Sequence, residues 1–456
     1  MLYKLIYFFR TGREKPLVQD TAEIGQAYGR MRWSVISSIT LGYALYYVCR
    51  LGLSVAKKPM IDDGVLTAEQ LGYVSAAMSL TYAFGKFVNG FLADWSNVRR
   101  FMSFGLFISA LVNLAFGFTS HFWFFVVLFA LNGWFQSVGP GTSAVALSYW
   151  FGNKERGTYY GVWSMGHSMG ESLTFLLTAM VISALGWRYG FWTASLMGGV
   201  GVVFIWLFLC DRPGTYGLPS IADYKNDHGD KVAGSADKIV STKDDISTKQ
   251  WEVLKNPAVW MLGLACASFS IVRYAITNWG VLYLQEEKAY SDVLAASIIS
   301  ANPLLGVMGT LLSGYISDKF FKGNRKVPSL IFGLLFVGSV SVFLLTPPGY
   351  LLIDILSMSI FGFVMGIQLC YLGGLMAIDI CSKKASGAAM GMIGIFSYLA
   401  ASLQDAVSGR FIEASKTVVN GVVKHDFGTV IFFWIGAALL SLFFVFSIWS
   451  VGQREE

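Results

Sequence analysis

The sequence predicts an all-α membrane protein with twelve transmembrane helices in two pseudo-symmetric six-helix halves. Three observations predict it. Of 456 residues, 55% are hydrophobic and only 14% charged, where a soluble domain carries about 25% charged residues; the mean hydropathy is +0.56. Apolar runs of spanning length recur along the chain, and twelve helices of about 20 residues use only about 240 positions. Finally, charged loop motifs in the first half return in the second. A formal net charge of +6 with no basic stripe argues against nucleic-acid binding. The five cysteines are scattered, with no C-x-x-C pair, and the four histidines are isolated. No disulfide framework, metal site or cofactor is expected.

Residues 1–32 are polar apart from Leu5 to Phe9, a stretch too short for a signal-peptide core. They read as an N-terminal segment at the cytoplasmic surface. The first bundle, 33–210, holds spans at about 33–56, 71–93, 101–119, 122–149, 158–184 and 188–210. A solvated linker follows at 211–256, opening with Asp211-Arg212-Pro213-Gly214. The second bundle, 257–456, holds spans at about 257–284, 293–317, 328–346, 351–379, 386–412 and 428–452. Lys and Arg are more frequent in loops on the side of the N-terminus, among them Lys154, Arg156, Lys319, Lys322, Lys383 and Lys384, than on the other. There they are Lys57, Lys58, Arg188, Lys288, Lys416 and Lys424. The positive-inside rule puts both termini and the linker in the cytoplasm. Glycosylation sequons are absent, which favours a bacterial inner membrane.

The halves repeat in register. Gly90-Phe-Leu-Ala-Asp94 with Arg99 and Arg100 follows the second span, and Gly314-Tyr-Ile-Ser-Asp318 with Arg325 follows the eighth. Asp94 and Asp318 are 224 positions apart. This parallel repeat and loop resemble the major facilitator superfamily, whose members bind substrate between their halves and rock about it. Gly90, Asp94, Arg99, Arg100, Gly314, Asp318 and Arg325 read as a conformational latch. The Asp sits by a helix end, and the basic residues face anionic lipid or a neighbouring helix.

Buried charge then points to a site. An arginine inside a spanning helix costs roughly 2.5–3.5 kcal/mol on insertion scales, so it marks a partner or a watery cavity. Arg50 in the first span and Arg273 in the seventh are 223 positions apart, matching the repeat, with no acidic residue within four positions of either. A guanidinium fork grips phosphate bidentately and stays charged. Two supply +2, which suits a phosphate monoester dianion with a second pKa of about 6. Tyr43, Tyr46 and Tyr47 share the face of Arg50. His167 is either a titrating ligand or a hydrogen-bonded packing residue. Lys86, on one face with Tyr82 and Asn89, faces the cavity or pairs with a carboxylate. Glu171, one turn after His167, pairs with His167 or Lys86 or binds a proton.

These stretches, with Asn132-Gly-Trp-Phe-Gln136, Lys154-Glu-Arg-Gly157, Gly323-Asn324-Arg325 and Phe396-Ser-Tyr398, resemble the organophosphate:phosphate antiporters. That branch holds bacterial glycerol-3-phosphate and hexose-6-phosphate transporters and the eukaryotic glucose-6-phosphate transporter. The resemblance implies exchange of a sugar phosphate, glucose-6-phosphate first, for inorganic phosphate by a monomer in the lipid bilayer. It carries the phosphate-binding residues onto Arg50, Arg273 and His167, and the cavity lining onto Tyr43, Tyr47, Tyr82, Lys86, Gln136, Trp163, Tyr274 and Tyr398. The chain departs from the family at several points. Pro140 replaces an aromatic, Pro303 a glutamate, and Glu171 a small residue. A Gly-Pro is missing around Gly366, and Met390 and Ile393 stand where one hexose-phosphate type has a charged pair. Two other functions fit the same residues: a hexose-phosphate sensor acting on a membrane kinase, and a proton-coupled symporter using Glu171 or Asp405. No nucleophile, base and oxyanion grouping supports an enzyme.

Overall fold

The computed structural model describes residues 7–226, 255–322, 325–376, 386–419 and 422–450. Lys4, Gly323, Asn324, Cys381, Lys383 and Lys384 lie outside the described residues, as do the side chains of Lys154 and Asp318.

The first half comprises α1 (Thr21–Asp62), α2 (Ala68–Trp95), α3 (Val98–Phe116), α4a (Phe122–Gln136), α4b (Val138–Trp150), α5 (Asn153–Leu185) and α6 (Trp187–Phe208). The second comprises α7 (Pro257–Glu286), α8 (Asp292–Phe321), α9 (Lys326–Leu345), α10 (Leu351–Cys370), α11 (Ser386–Ala414) and α12 (Gly428–Ser450). Eleven helical spans among the described residues are long and apolar enough to cross a membrane. The twelfth, α2, carries Glu69, Lys86 and Asp94. Helix starts are capped by side chains: Asp20 accepts from the Ala22 amide at 2.8 Å, Thr67 and Gln70 form a reciprocal capping box, and Asn256 accepts from the Ala258 amide at 2.9 Å. Each cap satisfies amides that the helix itself leaves unpaired.

Several boundaries differ from expectation. α1 starts at Thr21, inside the expected surface segment 1–32, and runs to Asp62, so Arg50 lies a full 12 residues from its end, about 18 Å. The fourth span breaks at Ser137 into α4a and α4b, because Pro140 has no amide hydrogen for the Gln136 carbonyl four residues back. The linker is not solvated throughout 211–256. Residues 213–216 form a 3₁₀ turn and 221–225 a short helix, with Pro213, Leu218 and Ile221 buried. A hairpin of β1 (Thr417–Val419) and β2 (Val422–Lys424) joins α11 to α12.

The outward faces are apolar, as a lipid-facing surface requires. Leu196, Val200, Val203 and Leu207 are exposed along α6, and Phe432, Phe443 and Phe446 along α12. Between the halves, α2 packs on α11 and α5 on α8. These are the same contact twice when the halves are exchanged, so the sequence repeat is a spatial one. α1 meets α7 at the centre.

Candidate functional site

Two close helix approaches build the site. A Cβ at Gly166 would meet the Thr40 carbonyl oxygen at 2.5 Å, and one at Gly170 would meet that of Ala44 at 2.3 Å. Only glycine lets α5 lie this close to α1. The approach sets His167 and Glu171 beside the face of α1 that carries Tyr47 and Arg50. α1 is braced from behind as well. Asn113 and Asn132 donate to the Cys49 carbonyl at 2.8 and 3.0 Å, and Gln136 donates to the Tyr46 carbonyl at 2.9 Å. Gln136, expected to line the cavity, spends its amide on this brace.

Arg50 and Arg273 open onto one cavity. Tyr47, Ser54, Ser79, Glu171, Tyr274, Thr277 and Asn278 also line it. Among the described residues neither guanidinium forms a contact ion pair, and each lies over tyrosine rings. The Arg50 guanidinium carbon is 4.5 Å from the Tyr82 ring centre and 5.5 Å from that of Tyr47; Arg273 is 5.3 Å from Tyr274. Such stacking favours the cation and leaves its edge N–H groups for an anion. Tyr43, Tyr82, Lys86, Trp163, Tyr398 and His167, expected at the site, are not in this lining but form ring contacts next to it. Tyr43 stacks on Trp163 at 4.9 Å, Tyr47 lies 5.5 Å from the His167 ring, and Tyr398 lies 4.8 Å from Tyr82 and 6.1 Å from Tyr274. The buried indole N–H of Trp163 has no hydrogen-bond partner among the described residues. Lys86 is exposed, although its ammonium is 5.5 Å from the Tyr398 ring of the other half.

Sequence reasoning missed Ser54, Thr277 and Asn278. The signal was available, since Ser54 and Thr277 each lie four residues beyond an arginine and share its helix face. The sequence leaves Glu171 pairing with His167 or Lys86, or binding a proton. Instead Glu171 accepts from Thr277 of α7 at 3.3 Å and acts electrostatically on both guanidinium groups.

The cavity is sealed on the side away from the chain termini. The hydrogen bonds Ser172–Ser300, Ser402–Ala76, Ala68–Glu413 and Lys58–Glu286 join the halves from the cavity to that end. A Cβ at Gly72 would meet the Asp405 carbonyl oxygen at 2.6 Å, and one at Gly409 the Ala68 carbonyl oxygen at 2.7 Å, so α2 and α11 touch backbone to backbone. Within the seal, Asp405 accepts from Asn278 at 2.9 Å and from the Trp279 indole at 3.1 Å. The fully buried Lys57 ammonium lies 3.3 Å from the Trp279 ring centre. Lys57, Lys58 and Lys288, expected in outer loops, are thus held within the fold; Lys288 pairs with Asp354.

The loop expected to act as a latch makes contacts other than those the sequence suggests. Asp94 is exposed, and its carbonyl accepts from Arg212. Asp211 occupies the start of α3 instead, accepting from the Val98 amide at 3.1 Å and from Asn97 at 2.7 Å. Burial pushes the Asp211 carboxyl up from the usual carboxylate range, against the pull of the Val98 amide. Arg99 donates to the Leu209 carbonyl at 2.6 Å and to the Tyr216 hydroxyl at 2.7 Å, and Arg100 to the Phe8 carbonyl at 2.7 Å. These cations fasten the linker and the N-terminal segment to the bundle, where lipid or a neighbouring helix was expected. Gly90 and Gly314 both face open space where a Cβ would point. Arg325 immediately precedes α9.

The profile of the Major Facilitator Superfamily matches residues 39–404. The chain is 36% identical over 413 residues to the membrane sensor protein UhpC of Salmonella typhimurium, covering 90% of this chain and 92% of that protein. It is 33% identical to a probable hexose phosphate transport protein of Chlamydia pneumoniae, covering 88% and 90%. Its fold resembles a bacterial homolog of the human lysosomal transporter Spinster in an inward-facing, occupied conformation, with a TM-score of 0.72, 16% identity and coverage of 93% and 99%.

Proposed function

The chain belongs to the Major Facilitator Superfamily, in its organophosphate:phosphate antiporter family, and from that premise we propose that it exchanges a sugar phosphate for inorganic phosphate by alternating access. Glucose-6-phosphate is the organic substrate in this reading. The observation that carries it is the convergence of Arg50 and Arg273, one from each half, on a single cavity. A phosphoryl group between them accepts from both guanidinium forks, and the sugar hydroxyls meet the Tyr47, Tyr274 and Asn278 side of the wall.

Exchange follows from charge. Without a bound anion the cavity keeps an excess of positive charge, two guanidinium groups against at most one carboxylate, and drawing the halves together raises that repulsion in a medium poorer in water. A phosphoryl group reverses the sign of that cost. The ligand shifts the conformational balance because it binds the closed arrangement more tightly. Net movement of an empty carrier is slow, and exchange is fast. The Gly90–Arg100 turn is a latch in this scheme, tying the end of α2 to the linker through Asp94 and Arg212. Both termini face the cytoplasm of a bacterial cell, and the chain works as a monomer.

The second reading is a hexose-phosphate sensor, favoured by 36% identity to a protein named as a membrane sensor. One experiment separates the two. Purified protein in phosphate-loaded liposomes is offered labelled glucose-6-phosphate, glycerol-3-phosphate and free glucose. Accumulation of a sugar phosphate, dependent on internal phosphate and absent for glucose, is the expected result. Binding without accumulation points to the sensor. Uptake driven by a proton gradient and indifferent to internal phosphate points to a symporter.

A further inference from the structure

Glu171 is the acidic residue among those lining the phosphate cavity, and the exchange scheme leaves it unused. It is buried, and its hydrogen-bond partner among the described residues is the Thr277 hydroxyl at 3.3 Å. The titratable and charged groups facing it are few. α1 presents Arg50 and Tyr47, α7 presents Arg273 and Tyr274, and its own helix presents His167 one turn earlier. α8 has no charged residue between Asp292 and Asp318. α6 has Arg188 at its start, bonded to the Gly117 carbonyl at 2.9 Å, and α4b has only Tyr149. With Glu171 ionised, the lining therefore carries two positive charges and one negative, a net +1.

We propose that Glu171 makes this a site for a phosphoryl dianion together with one proton. In the empty cavity the carboxylate is the counter-charge of the two guanidinium groups. When a dianion enters, the carboxylate and the phosphoryl oxygens compete for the same donors. One proton taken from water, shared between the Glu171 carboxyl and a phosphoryl oxygen, removes that repulsion and leaves the ligand and carboxyl together at −2, against the +2 of the two arginines. The balance is one dianion plus one proton in, and the same on release, so each passage of an organic phosphate dianion moves a proton with it. This rests on the phosphoryl reading above and adds the protonation state that the site selects. It assigns Glu171 as a specificity-determining residue, acting on the ligand's charge.

The test is proton uptake on binding. Purified full-length protein in weakly buffered detergent solution at pH 8 is titrated with glucose-6-phosphate, and protons are counted with an indicator dye. The wild type is expected to take up about one proton per ligand, and its Kd to rise about tenfold per pH unit above pH 7.5. Glu171→Gln is expected to take up close to none and to bind with a Kd flat over the same range. Glu171→Ser serves the same purpose if the Gln variant does not fold. Binding by the wild type without proton uptake overturns the proposal, as does undiminished uptake by the variants, which would belong to His167. Failure of the wild type to bind either glucose-6-phosphate or inorganic phosphate overturns the phosphoryl reading itself, and is recognisable as such.

Discussion

A guanidinium differs from an ammonium by its fork, and the site tests that difference at single residues. Arg50→Lys and Arg273→Lys keep the charge but replace two parallel donors with a point charge, and lose the flat face that lies on Tyr82 and on Tyr274. Each is expected to lower counterflow at least tenfold, with protein yield and melting temperature near those of the wild type. Near-normal exchange by both would remove the bidentate grip. These two arginines were legible in the sequence because a charge in an apolar run has few explanations, and the register match between halves narrowed them further. Gln136 was not legible in its role. Its donor bonds a carbonyl 90 positions away, and nothing along the chain distinguishes an amide that braces a helix from one that faces a ligand. Glu171 was legible as an anomaly but not in its partner, which sits on the other half.

At the scale of elements, the α2–α11 crossing carries the sealed side. Gly72 and Gly409 bring the two helices so close that a β-branched side chain has nowhere to go. Gly72→Val is expected to force the crossing apart. The distance between spin labels at exposed His121 and Val418 should lengthen, and exchange should fall about tenfold or more; an unchanged distance distribution would mean that the seal lies elsewhere. Helix existence was read correctly along the chain, because runs of apolar residues report burial or lipid contact directly. Helix ends were not. Hydropathy falls where a helix leaves the bilayer, yet α1 continues in both directions because Asp20 caps its start and Lys57 finds an aromatic face beyond the apolar run. The break between α4a and α4b needed the Pro140 rule in preference to the apolar average.

For the whole molecule the question is what holds two bundles in one of several arrangements. Lys57 of the first bundle and Asp405 of the second are both fully buried and interact electrostatically across the seal. Asp405→Asn keeps the shape and leaves Lys57 without that carboxylate. A buried ammonium deprived of its nearby carboxylate is destabilising, so the variant is expected to melt earlier and to populate a form open on the sealed side. Lys57→Met added to Asp405→Asn should recover much of the melting temperature. No recovery would show that Asp405 serves Asn278 and Trp279 rather than Lys57. The architecture was readable as a duplicated bundle, while the seal was not, because its contacts pair residues 128 to 345 positions apart, as in Ser172 with Ser300 and Ala68 with Glu413. The docked start of the linker has a mechanical consequence. Asp211, Arg212 and Tyr216 clamp it to the first bundle, so in the proposed alternating access the rotor that turns against the second bundle would extend past its last span. A fluorescent reporter inserted after Asn226 would ride with that rotor and register its swing.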